Sequence, residues 1–285
     1  MTPLRQQMID LMIVKNFSPL TQKSYLYSVY SLTKYYHLSP DQLSQDDIQR
    51  YLIHLIKERN LAANTCRLQL NGIRFFFRHV LKRPAYQLLL HYPKCPLRIP
   101  ELLTRSEALR IVSAPDNLKH QTQLKLCYGC GLRVSEVVAL RVKNIDGERR
   151  LLKIEQGKGA KDRLVPISPI LLEQLRDYWK TYRPLDKLFY LGSFKQATGI
   201  SSVQKLFKRA KTKVAIDKKG GVHSLRHAFA THQLEAGLPI HLLQRWLGHQ
   251  DIHTTMRYVH WVPNYQTAQH SFKDLLSEGP DHDFG

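Results

Sequence analysis

Pro84, Pro93, Pro96 and Pro100 interrupt the chain between Leu81 and Glu101. This run constrains the fold more than any other feature. Proline lacks the amide hydrogen a helix needs and clashes with the turn before it. Beyond a short turn around Tyr86 to Leu90, the segment carries no regular element. The chain therefore reads as two domains, residues 1–83 and 101–285, joined by a proline-rich linker over 84–100. A length of 285 residues fits one or two domains, and 43% hydrophobic residues suffice for real cores.

The first part reads as helices only. Thr2-Pro3 opens a helix with Leu4, Met8 and Leu11 on one face, and Ser18-Pro19 is an N-cap followed by proline at the first helical position. Tyr25, Val29, Leu32 and Tyr36 keep helical period. Ser44 caps a third helix with Asp47 in its first turn and Ile48, Leu52 and Leu55 inside. A fourth helix is expected from Ala63 to Leu81, with Leu70, Ile73, Phe77 and Leu81 as its core stripe. Arg67, Asn71, Arg74 and Arg78 form a neighbouring stripe that includes no acid. Such a stripe is either a solvated face or a surface that lies against DNA, where arginine contacts phosphate or reads guanine.

After Glu101, Thr104-Arg-Ser-Glu107 is a capping box ahead of an apolar helix. A further helix runs to Cys130, and Leu132 to Leu140 carries Arg133 and Glu136, three residues apart on one face. Leu151–Glu155 and Arg163–Ile167 read as a hairpin around Gly157-Lys158-Gly159-Ala160-Lys161. Helices follow over Ile170–Tyr182 and Ser202–Val214, the second with Val203, Leu206, Phe207 and Ala210 inside and Lys205, Lys208, Arg209 and Lys211 outside. Thr267 to Leu276 is an amphipathic candidate in the tail.

Between Gly221 and Tyr258 the residues that bear chemistry crowd together: His223, Arg226, His249 and Tyr258. At ~100° per residue, Leu225, Ala228, Phe229 and His232 form one stripe, with His223, Arg226 and His227 opposite. Ile252, Met256 and Val259 make a second apolar stripe, and Tyr258 lies roughly 120° from it. Trp246 reads as core.

The net charge is +20. That excess suits a polyanion, because lysine and arginine displace counterions from phosphates. An anionic membrane surface would attract it too, but no apolar run reaches the ~18 residues of a spanning helix. The start of the chain shows no signal-peptide pattern, so a cytoplasmic, nucleoid-associated protein is expected. Four cysteines in so long a chain make no disulfide framework. Cys127-Tyr-Gly-Cys130 lacks a second pair, and His223, His227 and His232 lack a completing carboxylate or cysteine, so buried cysteines and no metal site are expected. GKGAK lacks the leading glycine of a Walker A loop, which argues against a nucleotide site.

Taken together, GCGLRVSE, GKGAKDRLVPI, GVHSLRHAFATH and LGHQDIHTTMRY strongly resemble the motifs of the tyrosine recombinases, the Xer proteins and phage integrases among them. They stand in the family's order over most of Glu101 to His260. The resemblance implies a mainly α fold with a small β-sheet: a helical, SAM-like core-binding domain that clamps DNA, then a catalytic domain. It implies that Tyr258 attacks a DNA phosphodiester, leaving a 3′-phosphotyrosine and a free 5′-hydroxyl. Arg133 and Arg226 would clamp the non-bridging oxygens, and Lys158 would protonate the leaving oxygen. His223 would handle the nucleophile's proton, His249 would hydrogen-bond the phosphate, and Glu136 would support Arg133. Arg67, Asn71, Arg74, Arg78, Lys161 and Lys205 are the expected DNA contacts. A homo-tetramer on two duplex sites is implied, with an accessory recombinase or architectural protein as a possible partner, and no cofactor.

The chemistry asks for these residue types independently. A tyrosine with a pKa near ~10 needs help to lose its proton. Two guanidinium forks neutralise a pentacoordinate phosphorane without a metal, and a covalent phosphodiester conserves the bond energy that resealing requires. Three rival readings remain open at this level. A type IB topoisomerase would relax any plasmid regardless of sequence. A non-catalytic DNA-binding protein would be indifferent to Tyr258→Phe, and a metal-dependent nuclease would be stopped by EDTA.

Overall fold

The computed structural model describes residues 2–83, 100–155, 162–191, 196–262 and 275–276. The chain forms two compact units, Met1–Arg98 and Ile99–Gly285.

The first unit is a helical bundle: α1 (Pro3–Val14), α2 (Pro19–Tyr36), α3 (Gln45–Lys57) and α4 (Ala63–Phe75). Local chemistry sets its boundaries. The Ser18 hydroxyl accepts from the Thr21 amide at 3.2 Å, and Ser44 and Asp47 close a reciprocal capping box at the start of α3. Met8, Met12, Val29, Leu32, Ile48, Leu52, Leu55, Leu70 and Ile73 fill the core.

The expected helix to Leu81 changes character at its end. After Phe75 the backbone widens into a π turn, Phe76–Val80, in which the Leu81 amide donates to the Phe76 carbonyl five residues back. Phe75, Phe76 and Phe77 are consecutive and all buried where the helix widens. Arg67, Asn71 and Arg78 are exposed and Arg74 is half-buried.

In the second unit, α5 (Arg105–Ser113), α6 (Leu118–Gly129) and α7 (Val134–Ala139) precede a three-stranded antiparallel sheet. The sheet comprises β1 (Ile145–Asp146), β2 (Leu151–Ile154) and β3 (Arg163–Pro166). There follow α8 (Pro169–Tyr182), a small ladder of β4 (Tyr190–Leu191) and β5 (Gln196–Ala197), then α9 (Ile200–Lys213), α10 (His223–Glu235), α11 (Ile240–Leu247) and α12 (Ile252–Val259). Helix α6 packs against α5, α7, α8, α9 and α10. Cys127 and Cys130 lie buried within this core, not joined by a disulfide, and burial pushes the Cys127 thiol up to about 12, which keeps it an unreactive packing group.

The proline linker falls outside the described residues except for Pro100. Of the amphipathic tail candidate only Leu275 and Leu276 are described, and both are buried in the core of the second unit. Among the described residues, no helix is long and apolar enough to cross a membrane.

Candidate active site around Tyr258

Gly131 sets the first arm of the site. It adopts φ +59, and a Cβ there would lie 2.4 Å from a ring carbon of Phe229. Only glycine turns the chain there, from α6 toward α7, without a clash. Gly131→Ala is accordingly expected to lower stability by about 2 kcal/mol or more, read as a lower urea midpoint.

That turn places Arg133 at the N-cap of α7. Its amide donates to Glu136 Oε2 and its Nη1 to Glu136 Oε1, both at 2.8 Å. Burial pushes the Glu136 carboxyl up, but hydrogen bonds and charge from Arg163, with help from Arg133 and Arg226, outweigh it and bring the group down to about 2.

Helix α10 supplies Arg226. The expectation of a buried stripe facing an open working face needs correction. Leu225, Ala228, Phe229 and His232 are buried as expected, but Arg226 is buried as well, at 1% exposure. It tolerates this because its donors are satisfied. Nη1 donates to the Gly131 carbonyl, and Nη2 to the Leu247 carbonyl, each at 2.7 Å. Nη2 also reaches His249 Nε2 at 3.1 Å. Burial and the neighbouring Arg133 lower its pKa to about 10, so it stays charged at neutral pH.

The Arg226 contact settles the tautomer of His249. A guanidinium only donates, so His249 Nε2 accepts, and the ring proton sits on Nδ1, which donates to Thr255 Oγ1 at 2.9 Å. Burial, then Arg226, Arg133 and Arg163, hold the imidazole near 3, hence neutral. Trp246, expected in the core, is only partly buried against it.

Helix α12 is rotated from its sequence-based orientation. Of the expected stripe, Ile252 and Met256 are exposed at 37% and 36% and Val259 is partly buried against the core, while Thr255 and Tyr258 are buried. Polar partners in the pocket decide the matter: His249 takes the Thr255 hydroxyl, and the Tyr258 hydroxyl lies 3.1 Å from His227 Nδ1. The Tyr258 ring stacks parallel to His249 at 6.2 Å and meets Trp261 edge-on at 5.2 Å. Burial raises its pKa, opposed by Arg226 and Arg133. His223 is exposed at the start of α10, edge-on to His227 at 4.6 Å. A cavity of about 800 Å³ opens beside it, with Lys208 and Lys211 in its wall.

The structure thus gathers Arg133, Glu136, His223, Arg226, His249 and Tyr258 in one place. Lys158 and Lys161 lie outside the described residues, between β2 and β3, and Lys205 is exposed on α9. Three participants escaped sequence reasoning: Arg163, Thr255 and the His227 contact to Tyr258. Arg163 was legible in principle. Along β3 it shares a face with buried Val165, while the intervening Leu164 is 45% exposed. Of the histidine trio, His232 is instead a core group between the Tyr128 hydroxyl and the Leu103 carbonyl, each at 2.9 Å. Among the described residues no cluster of histidine, cysteine and carboxylates could hold a metal.

Burial lowers His227 and His232 to about 4 and His249 to about 3. Between pH ~6.5 and ~4 the unfolded chain takes up protons that the folded chain refuses, so stability must fall as pH falls through that window. Urea unfolding is expected to give a lower midpoint at about pH 5 than at about pH 7.5. An unchanged midpoint would mean these rings are not buried neutral.

Residues 101–264 match the phage integrase family model, and residues 4–87 match the family's N-terminal SAM-like domain. The chain is 40% identical over 279 residues to "Putative integrase/recombinase y4qK" of Sinorhizobium fredii, covering 97% of this chain and 90% of the relative. It is 32% identical over 243 residues to tyrosine recombinase XerD of Staphylococcus aureus, covering 79% and 81%. XerH recombinase, solved in a post-cleavage complex with a palindromic difH substrate, has a similar fold (TM-score 0.71, 19% identity, 87% of this chain and 78% of that one). The chain therefore belongs to the phage integrase family of tyrosine recombinases, enzymes of site-specific recombination that break and rejoin DNA.

Proposed function

We propose that this chain recombines double-stranded DNA at specific sites through a 3′-phosphotyrosine on Tyr258, without metal or ATP. The observation that carries this reading is the convergence of Tyr258 with two charged, hydrogen-bonded arginines and a neutral histidine in one pocket. The Tyr258 oxygen forms the new bond to phosphorus as the bond to the 5′-oxygen breaks. His223 takes the phenol proton, and Lys158 gives a proton to the departing 5′-oxygen. Arg133 and Arg226 hold the two non-bridging oxygens, whose growing charge their fixed donors are placed to meet. A phosphodiester beside His249 brings the negative charge that raises its pKa, so Nε2 can donate to the phosphate.

Residues 1–83 serve as the DNA clamp, with Arg67, Asn71, Arg74 and Arg78 on the duplex, and 84–100 as the linker. Residues 101–285 carry the chemistry, with Lys161 and Lys205 on the backbone. Four copies act on two sites, with an accessory recombinase or architectural protein where the site requires one, in the cytoplasm at the nucleoid. End-labelling tests the polarity. Duplexes nicked close to the scissile phosphate should leave label from the 3′-phosphate side on the protein after denaturation. Label retained from the fragment that begins with the 5′-hydroxyl would contradict the assignment.

A further inference from the structure

Arg163 makes more contacts within the site than its place at a strand end suggests. It is the first residue of β3, and its side chain is only 7% exposed. Its fork donates to both oxygens of Glu136, Nη1 to Oε1 at 2.9 Å and Nη2 to Oε2 at 2.8 Å. Its Nε donates to the Trp246 carbonyl at 2.7 Å. The side chain passes so close under Gly248 that a Cβ there would sit 2.9 Å from Arg163 Cδ, at a residue whose φ is +65. One guanidinium thus ties the sheet, the start of α7 and the elbow between α11 and His249.

The charges divide unevenly. Among the described residues Glu136 is the single carboxylate facing three guanidiniums, and the bidentate partner is Arg163. Arg133 shares one oxygen through its side chain, and Arg226 approaches no nearer than 3.9 Å, its own hydrogen bonds going to carbonyls and His249. A fork pair is the strongest carboxylate contact available. Without it, the carboxylate would turn its charge on Arg133 and Arg226.

We infer that Arg163 is a positioning residue for strand cleavage. It neutralises Glu136, so that Arg133 and Arg226 keep their charge for the DNA phosphate, and it fixes the elbow that presents His249. The inference rests on the reading of the site given above.

Two readouts test it in the full-length protein. The first is the single-turnover rate of adduct formation on nicked duplex DNA. The second is affinity for inorganic phosphate, followed by the ring resonances of His249 in histidine-labelled protein, which needs no cleavage. Arg163→Gln should slow adduct formation by about 100-fold, the scale for a lost transition-state charge contact, and weaken phosphate binding. Adding Glu136→Gln to it removes the stray carboxylate and should restore adduct formation by about 10-fold over Arg163→Gln and strengthen phosphate binding. Arg163→Lys, which keeps the charge without the fork, should lose less than Arg163→Gln on both readouts.

A double variant as slow and as weak as Arg163→Gln, or worse, would reduce Arg163 to a structural residue and overturn the inference. Equal losses for Lys and Gln would do the same. Absence of any Tyr258 adduct in the wild type would instead fail the reading of the reaction, and the phosphate titration would still decide the role of Arg163.

Discussion

Tyr258→Phe is expected to bind duplex DNA as the wild type does and to form no covalent adduct at all. The ring is buried, and phenylalanine keeps its packing against His249 and Trp261. The loss is one hydroxyl and its hydrogen bond to His227, worth about 1 kcal/mol of stability. On the proposed mechanism another tyrosine is not expected to replace it, because the nucleophile must lie in line with the phosphate assigned to Arg133 and Arg226. Gel shift and denaturing gel, run on the same samples, separate binding from capture. An adduct that persists in Tyr258→Phe would mean another residue attacks.

Arg226→Lys should give the second largest effect, a loss of about 100- to 1,000-fold in the rate of adduct formation. The arginine bridges the Gly131 and Leu247 carbonyls and His249 with one planar group. An ammonium keeps the charge but cannot span those acceptors and a phosphate together. Some stability is lost as well, since a carbonyl left unpaired in this pocket costs about 1–3 kcal/mol. A urea midpoint taken on the same preparation keeps the two effects apart. A Lys variant that cleaves at the wild-type rate would show that charge alone suffices and that the fork geometry is incidental.

The residues of the site were legible because the chemistry restricts residue type: a nucleophile, forked cations and a histidine stand in order along the chain. The helix starts were legible too. Ser18, Ser44 and Thr104 cap as their positions imply. What periodicity could not supply was orientation where polar contacts compete with apolar burial. Ile252, Met256 and Val259 have the spacing of an inward stripe, yet of these Val259 packs on the core while the pocket's histidines draw Thr255 and Tyr258 inward. The same limit hid the burial of Arg226, because burial of a charge depends on carbonyl acceptors at Gly131 and Leu247 that no sequence window around α10 contains. Arg163 was read only as the start of a hairpin strand, since its carboxylate partner is 27 residues away. The π turn at Phe76 was not legible either, because the helical period continues through it to Leu81.

The most direct test of the account is to identify the amino acid that carries the DNA. Wild-type protein is incubated with a pool of nicked duplexes in EDTA, the covalent product is digested with nuclease and protease, and the nucleotide-bearing peptide is sequenced by mass spectrometry. The account predicts a single modified peptide with the nucleotide on Tyr258, formed in the absence of divalent cations. A modification on any other residue, or capture that appears only when a divalent metal is restored, would contradict it.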